Sequence, residues 1–275
     1  DSSKWGCQTR GSRRTKAATV KSAITRDDLL LSRNDIAKFC DGKTEIYVQE
    51  KIDGANLGIS IGYDGNFLCQ NRSKYVCSAD SPQYGSLDLW LDSHAQFLHI
   101  LLVPGRHILY GEWCVARHSI PYKKLPGYFI AFDLYDRETD LFYSVRRFHE
   151  TIKNAGRKLG FDLQQSPIPV VPLITKRKFR DPLELLPLLE TKSEFRTDGG
   201  TVEGVYLRMD DRKWNRSRCK LVRSDFIQNI EDGHWMKRKM EKNQIDVDYS
   251  YEYLRGCMKE VEAAFERHGH LVHAS

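Results

Sequence analysis

The sequence predicts an α+β fold of twisted, mainly antiparallel sheets flanked by helices, with a short helical C-terminal tail. Three observations predict it. From Glu45 onward apolar residues recur at period two in short runs separated by turn residues, the mark of half-buried strands. Between those runs, stretches such as SVRRFHETIKNAG repeat at helical spacing behind a serine cap. In the tail, Leu254, Met258, Val261 and Phe265 repeat at helical spacing until Gly269.

The elements follow in order. Ser32 followed by Asp35 caps a short helix through IAKFC, with Gly42 as its stop. EIYVQEK is a strand, and LGISIGY places Leu57, Ile59, Ile61 and Tyr63 on one face. Asp64 and Gly65 then turn the chain into NFLCQNR, giving a hairpin. HILYGEW, GYFIAFDLYD, PVVPLI, TVEGVYLRM and KLVR are further strands, and the SVRRFHETIKNAG helix is expected to end at Gly156. The division expected is a basic arm over 1–26, a main domain over 27–230 and a helical extension over 231–275.

Composition narrows the function. Hydrophobic residues at 40% and charged residues at 29% suit a globular core and exclude whole-chain disorder. Apolar stretches such as HILLVPG and LELLPLLE are shorter than the roughly 20 residues a membrane span needs. Seven cysteines without a CxxC pair support neither a zinc cage nor a disulfide framework, and reduced thiols imply an intracellular chain of open compartment. The net charge of +6 is carried by residues 1–26, where seven basic side chains stand against Asp1 alone. Such an arm, with Arg13 and Arg14 at its centre, suits contact with a phosphate backbone.

The chemistry-bearing residues lie in the strands. Lys51, at the end of a strand and followed by Asp53 and Gly54, can present its amine in a tight backbone corner. A lysine attacks only when deprotonated, so neighbouring groups must depress its pKa. Glu112 ends an apolar strand, where its carboxylate can hold a hydroxyl or a metal-bound water. Phe132 can stack on a base. Glu203 alternates onto the face of Val205 and Leu207, which aims a carboxylate inward, and a buried carboxylate needs a cation or a metal. Arg218, Lys220 and Arg223 offer cations to bind phosphates and keep Lys51 neutral.

The ordered series EKIDGAN, QNR, YGE, AFD, EGVYLR and RxK resembles the motifs of the covalent nucleotidyltransferase superfamily of polynucleotide ligases and mRNA capping enzymes. It is most similar to the RNA ligase 2 type, because Asn56 follows the KxDG element at the spacing used there and Arg72 stands in the following hairpin strand. The resemblance implies a nucleotidyltransferase (adenylation) domain and an ATP-dependent RNA ligase that joins 3′-hydroxyl and 5′-phosphate ends with ATP and Mg2+. It implies that Lys51 carries AMP, with Glu50 and Ile52 beside it lining the nucleotide. Asn56 and Arg72 would contact the nucleotide or the 5′-phosphate, and Asp53 would order the loop. Glu112 would hold the ribose, Phe132 stack on adenine, and Glu203 serve the metal. Lys220 would close the last motif, in which Arg218 stands where the family has lysine; arginine keeps the charge without mimicking a compact ammonium. The partners implied are RNA or other polynucleotide ends, with no membrane. The alternatives are a GTP-using guanylyltransferase and a catalytically silent nucleic-acid-binding relative. About fifty residues follow Lys220 and read as helical rather than as the strands of an OB-fold, which favours RNA ligase over DNA ligase or capping enzyme.

Overall fold

A computed structural model describes residues 16–18, 29–30, 33–161, 166–223 and 240–246. Arg13, Arg14 and the Leu254 to Phe265 pattern lie outside them. Among the described residues, eleven strands form two sheets. They are β1 (Lys16–Ala18), β2 (Leu29–Leu30), β3 (Ile46–Lys51), β4 (Ala55–Ile61), β5 (Phe67–Gln70), β6 (His107–Trp113), β7 (Phe129–Asp136), β8 (Leu141–Phe142), β9 (Leu173–Arg177), β10 (Gly204–Asp210) and β11 (Asn215–Val222). The first sheet has the order β2-β1-β11-β10-β3-β9 and the second β5-β4-β6-β7-β8. Pairing is antiparallel except where β1 joins β2 and β11. The helices are α1 (Arg33–Phe39), α2 (Leu87–Ser93), α3 (Ala95–Leu101) and α4 (Val145–Lys158), with a 3-10 segment over Pro182–Glu190.

Each sheet buries one face. Leu57, Ile59, Leu109, Phe129 and Leu134 of the second sheet pack on Phe97, Leu98, Phe148 and Ile152 of α3 and α4. Ile46, Val48, Val205, Leu207 and Leu221 of the first sheet pack on Phe39, Phe179, Leu185 and Leu188. Each such side chain contributes roughly 1.5–3 kcal/mol on burial. The remaining faces turn toward each other, because Arg208 and Arg218 of the first sheet both reach Asp133 of the second. Polar residues on those two faces therefore meet in a cleft.

Several boundaries differ from the sequence reading for local reasons. Only the end of PVVPLI is strand: prolines 169 and 172 remove donors in its first part, and β9 begins at Leu173. Helix α4 is capped by Ser144, which accepts from Arg147 N at 3.2 Å, but it runs through Gly156 to Lys158. The stop is Gly160, left-handed at φ 86°. Arg72 follows β5 in a turn that the Asn71 side chain organises by accepting from Ser73 N and Lys74 N, rather than in a strand. Within the basic arm, Lys16–Ala18 adds a strand beside β11. Within the tail, residues 240–246 form isolated bridges to residues 116 and 125 rather than a helix. Among the described residues no helix is long and apolar enough to cross a membrane, and all five cysteines are free.

Candidate active site

Strand β3 delivers Lys51 to the cleft at the point where β10 begins opposite it, Lys51 pairing with Gly204. Glu203 sits just before β10, in a bend, so strand alternation does not govern it. Val205 and Leu207 turn into the core beneath the sheet, whereas the Glu203 carboxylate accepts from Lys51 Nζ at 2.5 Å. The expectation that these three share a face is thus corrected. A side chain on Gly204 would collide with β11, since its Cβ would lie 2.3 Å from Leu221 O. Close strand approach at that glycine lets the Glu203 bend sit beside Lys51.

The second sheet supplies the opposing wall. Asn56 on β4 pairs with Glu112 on β6, and Phe132 on β7 faces Tyr206 of β10 with ring centroids 6.4 Å apart and planes at 24°. In the first sheet Tyr206 stands between Gln49 of β3 and Lys220 of β11 in one cross-strand row. Lys220 is buried; burial raises the Glu203 carboxyl above its ordinary value, and the charges of Lys51 and Lys220 oppose that rise. Arg72 acts likewise on Glu112 and Tyr206, which places its charge at the cleft rim. Lys51, Asn56, Arg72, Glu112, Phe132, Glu203 and Lys220 therefore come together.

Others do different work. Arg218 is held by Asp133 and lies over the Phe142 ring at 3.7 Å, and Arg223 donates to Thr201 Oγ1. Asp53 accepts from Ser119 N and Ile120 N, each at 2.7 Å, while its own N–H donates to Tyr122 OH at 3.0 Å. Ile52 is fully buried among Cys114, Ile120, Tyr122 and Phe195. Glu50 turns toward Ser193 and Arg196, and burial pushes its carboxyl up to about 7.

The electrostatics reverse one expectation. Burial alone would favour neutral Lys51, but the facing acidic groups, Glu203 first and then Tyr206 and Glu112, outweigh it and hold its pKa above the ordinary lysine value. The expected depression of the Lys51 pKa by Arg218, Lys220 and Arg223 is thus corrected: the acidic groups prevail, Arg218 being held by Asp133 and Arg223 donating to Thr201. Burial pushes Glu112 up to about 8 against the opposing pull of Lys51 and Arg72.

Three buried polar atoms in and beside the cleft have no hydrogen-bond partner among the described residues: Gln49 Nε2, Glu50 Oε1 and Glu112 Oε2. Such groups cost roughly 1–3 kcal/mol each and mark places where a ligand completes the bonding. Gln49 and Tyr206 escaped the sequence reading. Their period-two spacing with Lys51 and with Gly204 is the signal that could have found them. His118 is half-buried beside Asp53 and Lys51, and burial lowers its pKa.

Comparison with known proteins agrees with this geometry. No curated protein sequence matches the chain. Among solved structures, Naegleria gruberi RNA ligase with pyrophosphate superposes with a TM-score of 0.56 at 18% identity, covering 80% of this chain and 63% of that one. A variant of the same ligase with ATP and manganese gives 0.54 at 17%, covering 72% and 54%. The chain thus spans between half and two thirds of the length of these ligases, and the likeness shows a shared nucleotidyltransferase fold. A family model described as RNA ligase matches residues 44–222, the span that holds every cleft residue above, and the chain belongs to the RNA ligase family.

Proposed function

We propose that the chain is an ATP-dependent RNA ligase of the RNA ligase 2 type that works through a lysyl-AMP intermediate. The observation that carries this is the convergence of Lys51, Glu112, Phe132, Glu203 and Lys220 on one cleft that also holds orphaned Glu112 Oε2 and Gln49 Nε2. A nucleotide fits those groups. Glu112 accepts from a ribose hydroxyl, Phe132 stacks on the base, and Lys220 with Arg72 meets phosphate. The carboxylates of Glu203 and Glu112 are hard oxygen donors that suit magnesium, which would offset phosphate charge when bound.

In the first step the Lys51 amine, having lost its proton, bonds to the α-phosphorus of ATP and pyrophosphate leaves. AMP then passes from Lys51 to a 5′-phosphate end. A 3′-hydroxyl of the second end attacks that phosphorus, and AMP departs as the phosphodiester forms. Lys220 opposes the charge that develops on the α-phosphate. The chain's residues mainly orient the reactants, as in other phosphoryl transfers.

Incubating the protein with α-labelled ATP and magnesium tests the reading. Label is expected on Lys51 and is expected to vanish in Lys51→Ala and in Lys51→Arg, since arginine stays protonated. Labelling by GTP alone would replace the reading with a guanylyltransferase, and no labelling by either would leave a silent nucleic-acid-binding relative. A panel of nicked RNA, DNA and hybrid duplexes then reads the substrate.

A further inference from the structure

We propose that Asn243 is a positioning residue for the nucleophile, through a strap formed by residues 240–246 that fixes the loop carrying Asp53. This rests on the reading of Lys51 as the group that takes up AMP. The strap lies beyond residues 44–222, where the family likeness ends.

The irregular connection between β6 and β7, residues 114–128, needs partners for its backbone. The strap supplies them. Asn243 N donates to Val115 O at 3.0 Å, Gln244 N to Tyr122 O at 3.0 Å and Asp246 N to Leu125 O at 2.8 Å. In return Arg117 N donates to Glu241 O at 2.8 Å and Leu125 N to Gln244 O at 3.1 Å. Asn243 is the centre of this stitching, 2% exposed, with both the amide nitrogen and the amide oxygen hydrogen-bonded. Its Nδ2 donates to Cys114 O at 2.9 Å and Ala116 O at 3.3 Å, and its Oδ1 accepts from Tyr122 N at 3.0 Å. No other side chain of its size offers two donors and an acceptor from one flat group.

The same connection holds the nucleophile's loop. Ser119 N and Ile120 N donate to Asp53, and Tyr122 OH accepts from Asp53 N. Gly54 packs against the same stretch, where an added Cβ would lie 3.0 Å from Trp113 O and 3.1 Å from Cys114 Sγ. A continuous line of hydrogen bonds thus runs from Asn243 through Tyr122 to Asp53, two residues from Lys51. A residue so far along the chain touches no reacting atom, yet a shift of about 1 Å in the nucleophile can cost on the order of a hundredfold in rate.

Single-turnover AMP transfer to Lys51 in the full chain tests this. Asn243→Ala is expected to lower the rate at saturating ATP by about tenfold or more, at a temperature where circular dichroism shows it folded. The ATP concentration giving half the maximal rate is expected to stay within about threefold. Tyr122→Phe removes only the hydroxyl on the same route and is expected to lower the same parameter. The double variant is expected to lose little more than the worse single one, as for residues acting through one route. A folded Asn243→Ala at full rate would overturn the proposal; if that variant does not fold, Tyr122→Phe at full rate would do so. Failure of the unaltered protein to transfer AMP would instead sink the ligase reading, so the two failures are distinguishable.

Discussion

The Lys51 ammonium and the Glu203 carboxylate meet at 2.5 Å with side chains only 11% and 5% exposed. Breaking a pair so nearly removed from water strands one charge, a cost of about 3–5 kcal/mol. The pair therefore holds Lys51 in its protonated, non-nucleophilic form until something else engages Glu203.

That relationship sets a pH dependence. Because the facing acidic groups, Glu203 above all, raise the Lys51 pKa, the fraction of neutral amine grows as pH rises, and AMP transfer is expected to accelerate from neutral to alkaline pH. Glu203→Gln removes the largest of those anionic influences, so Lys51 is expected to lose its proton at lower pH. Reaction of Lys51 with an acid anhydride, followed by mass spectrometry across pH, reads this without requiring activity. A Lys51 profile in Glu203→Gln at or above that of the unaltered protein would contradict it.

Glu112 gives a prediction for stability. Its carboxyl ionises near 4.5 in an ordinary setting and at about 8 in the cleft. Between those values the folded chain keeps a proton that the unfolded chain has released. Stability from this group is thus fully present below about 4.5 and is lost as pH rises through about 8. Glu112→Gln, which is neutral throughout, is expected to gain on the unaltered protein by on the order of 2–4 kcal/mol between pH 5 and pH 8. Urea unfolding at the two pH values measures the gain; a constant difference would show that Glu112 stays ionised.

The basic arm is best tested by charge, because β1 lies within it and pairs with β11, the strand of Lys220. Removing residues 1–26 would disturb the cleft as well as the charge. Arg13→Gln with Arg14→Gln is expected to weaken RNA binding at low salt and to reduce the slope of log affinity against log salt by roughly 0.7–0.9 per lost phosphate contact. Labelling of Lys51 is expected to be unaffected. An unchanged slope would assign the arm a role other than phosphate contact.

Most strands were legible because β3, β4, β6, β7 and β10 are short, mainly apolar runs bounded by turn residues, whereas the cleft was not, because β6 is buried along its whole length and its pattern does not tell the core face from the cleft face. Helices α2 and α3 were not assigned. Each is only seven residues long and they are separated by His94 alone, too short for a helical period to declare itself. Lys51, Glu112, Phe132 and Lys220 were legible because their motifs are local. The protonation of Lys51 was not, because it depends on which acidic groups distant in sequence, Glu112, Glu203 and Tyr206, come to face it. The stitching by Asn243 was equally hidden, joining residues 121 or more positions apart.

Gln49 yields the last prediction, in which stability and affinity move in opposite directions. Its side chain is 2% exposed, and Nε2 donates to nothing, although it lies on the same strand face as Lys51 and beside Tyr206. A buried donor without an acceptor weakens the free protein, and replacing it by an apolar group of similar shape removes that penalty. Gln49→Met is therefore expected to raise stability by about 1–3 kcal/mol in the absence of nucleotide. If the amide completes its bonding on ATP, the same substitution removes a contact made only in the complex. The ATP concentration for half-maximal labelling of Lys51 is then expected to rise about tenfold, with the saturated rate nearly unchanged, as for an interaction made equally in ground and transition states. Melting curves without nucleotide and labelling against ATP concentration decide the matter together. A destabilised Gln49→Met with unaltered half-saturation would mean that the amide serves the fold rather than the nucleotide.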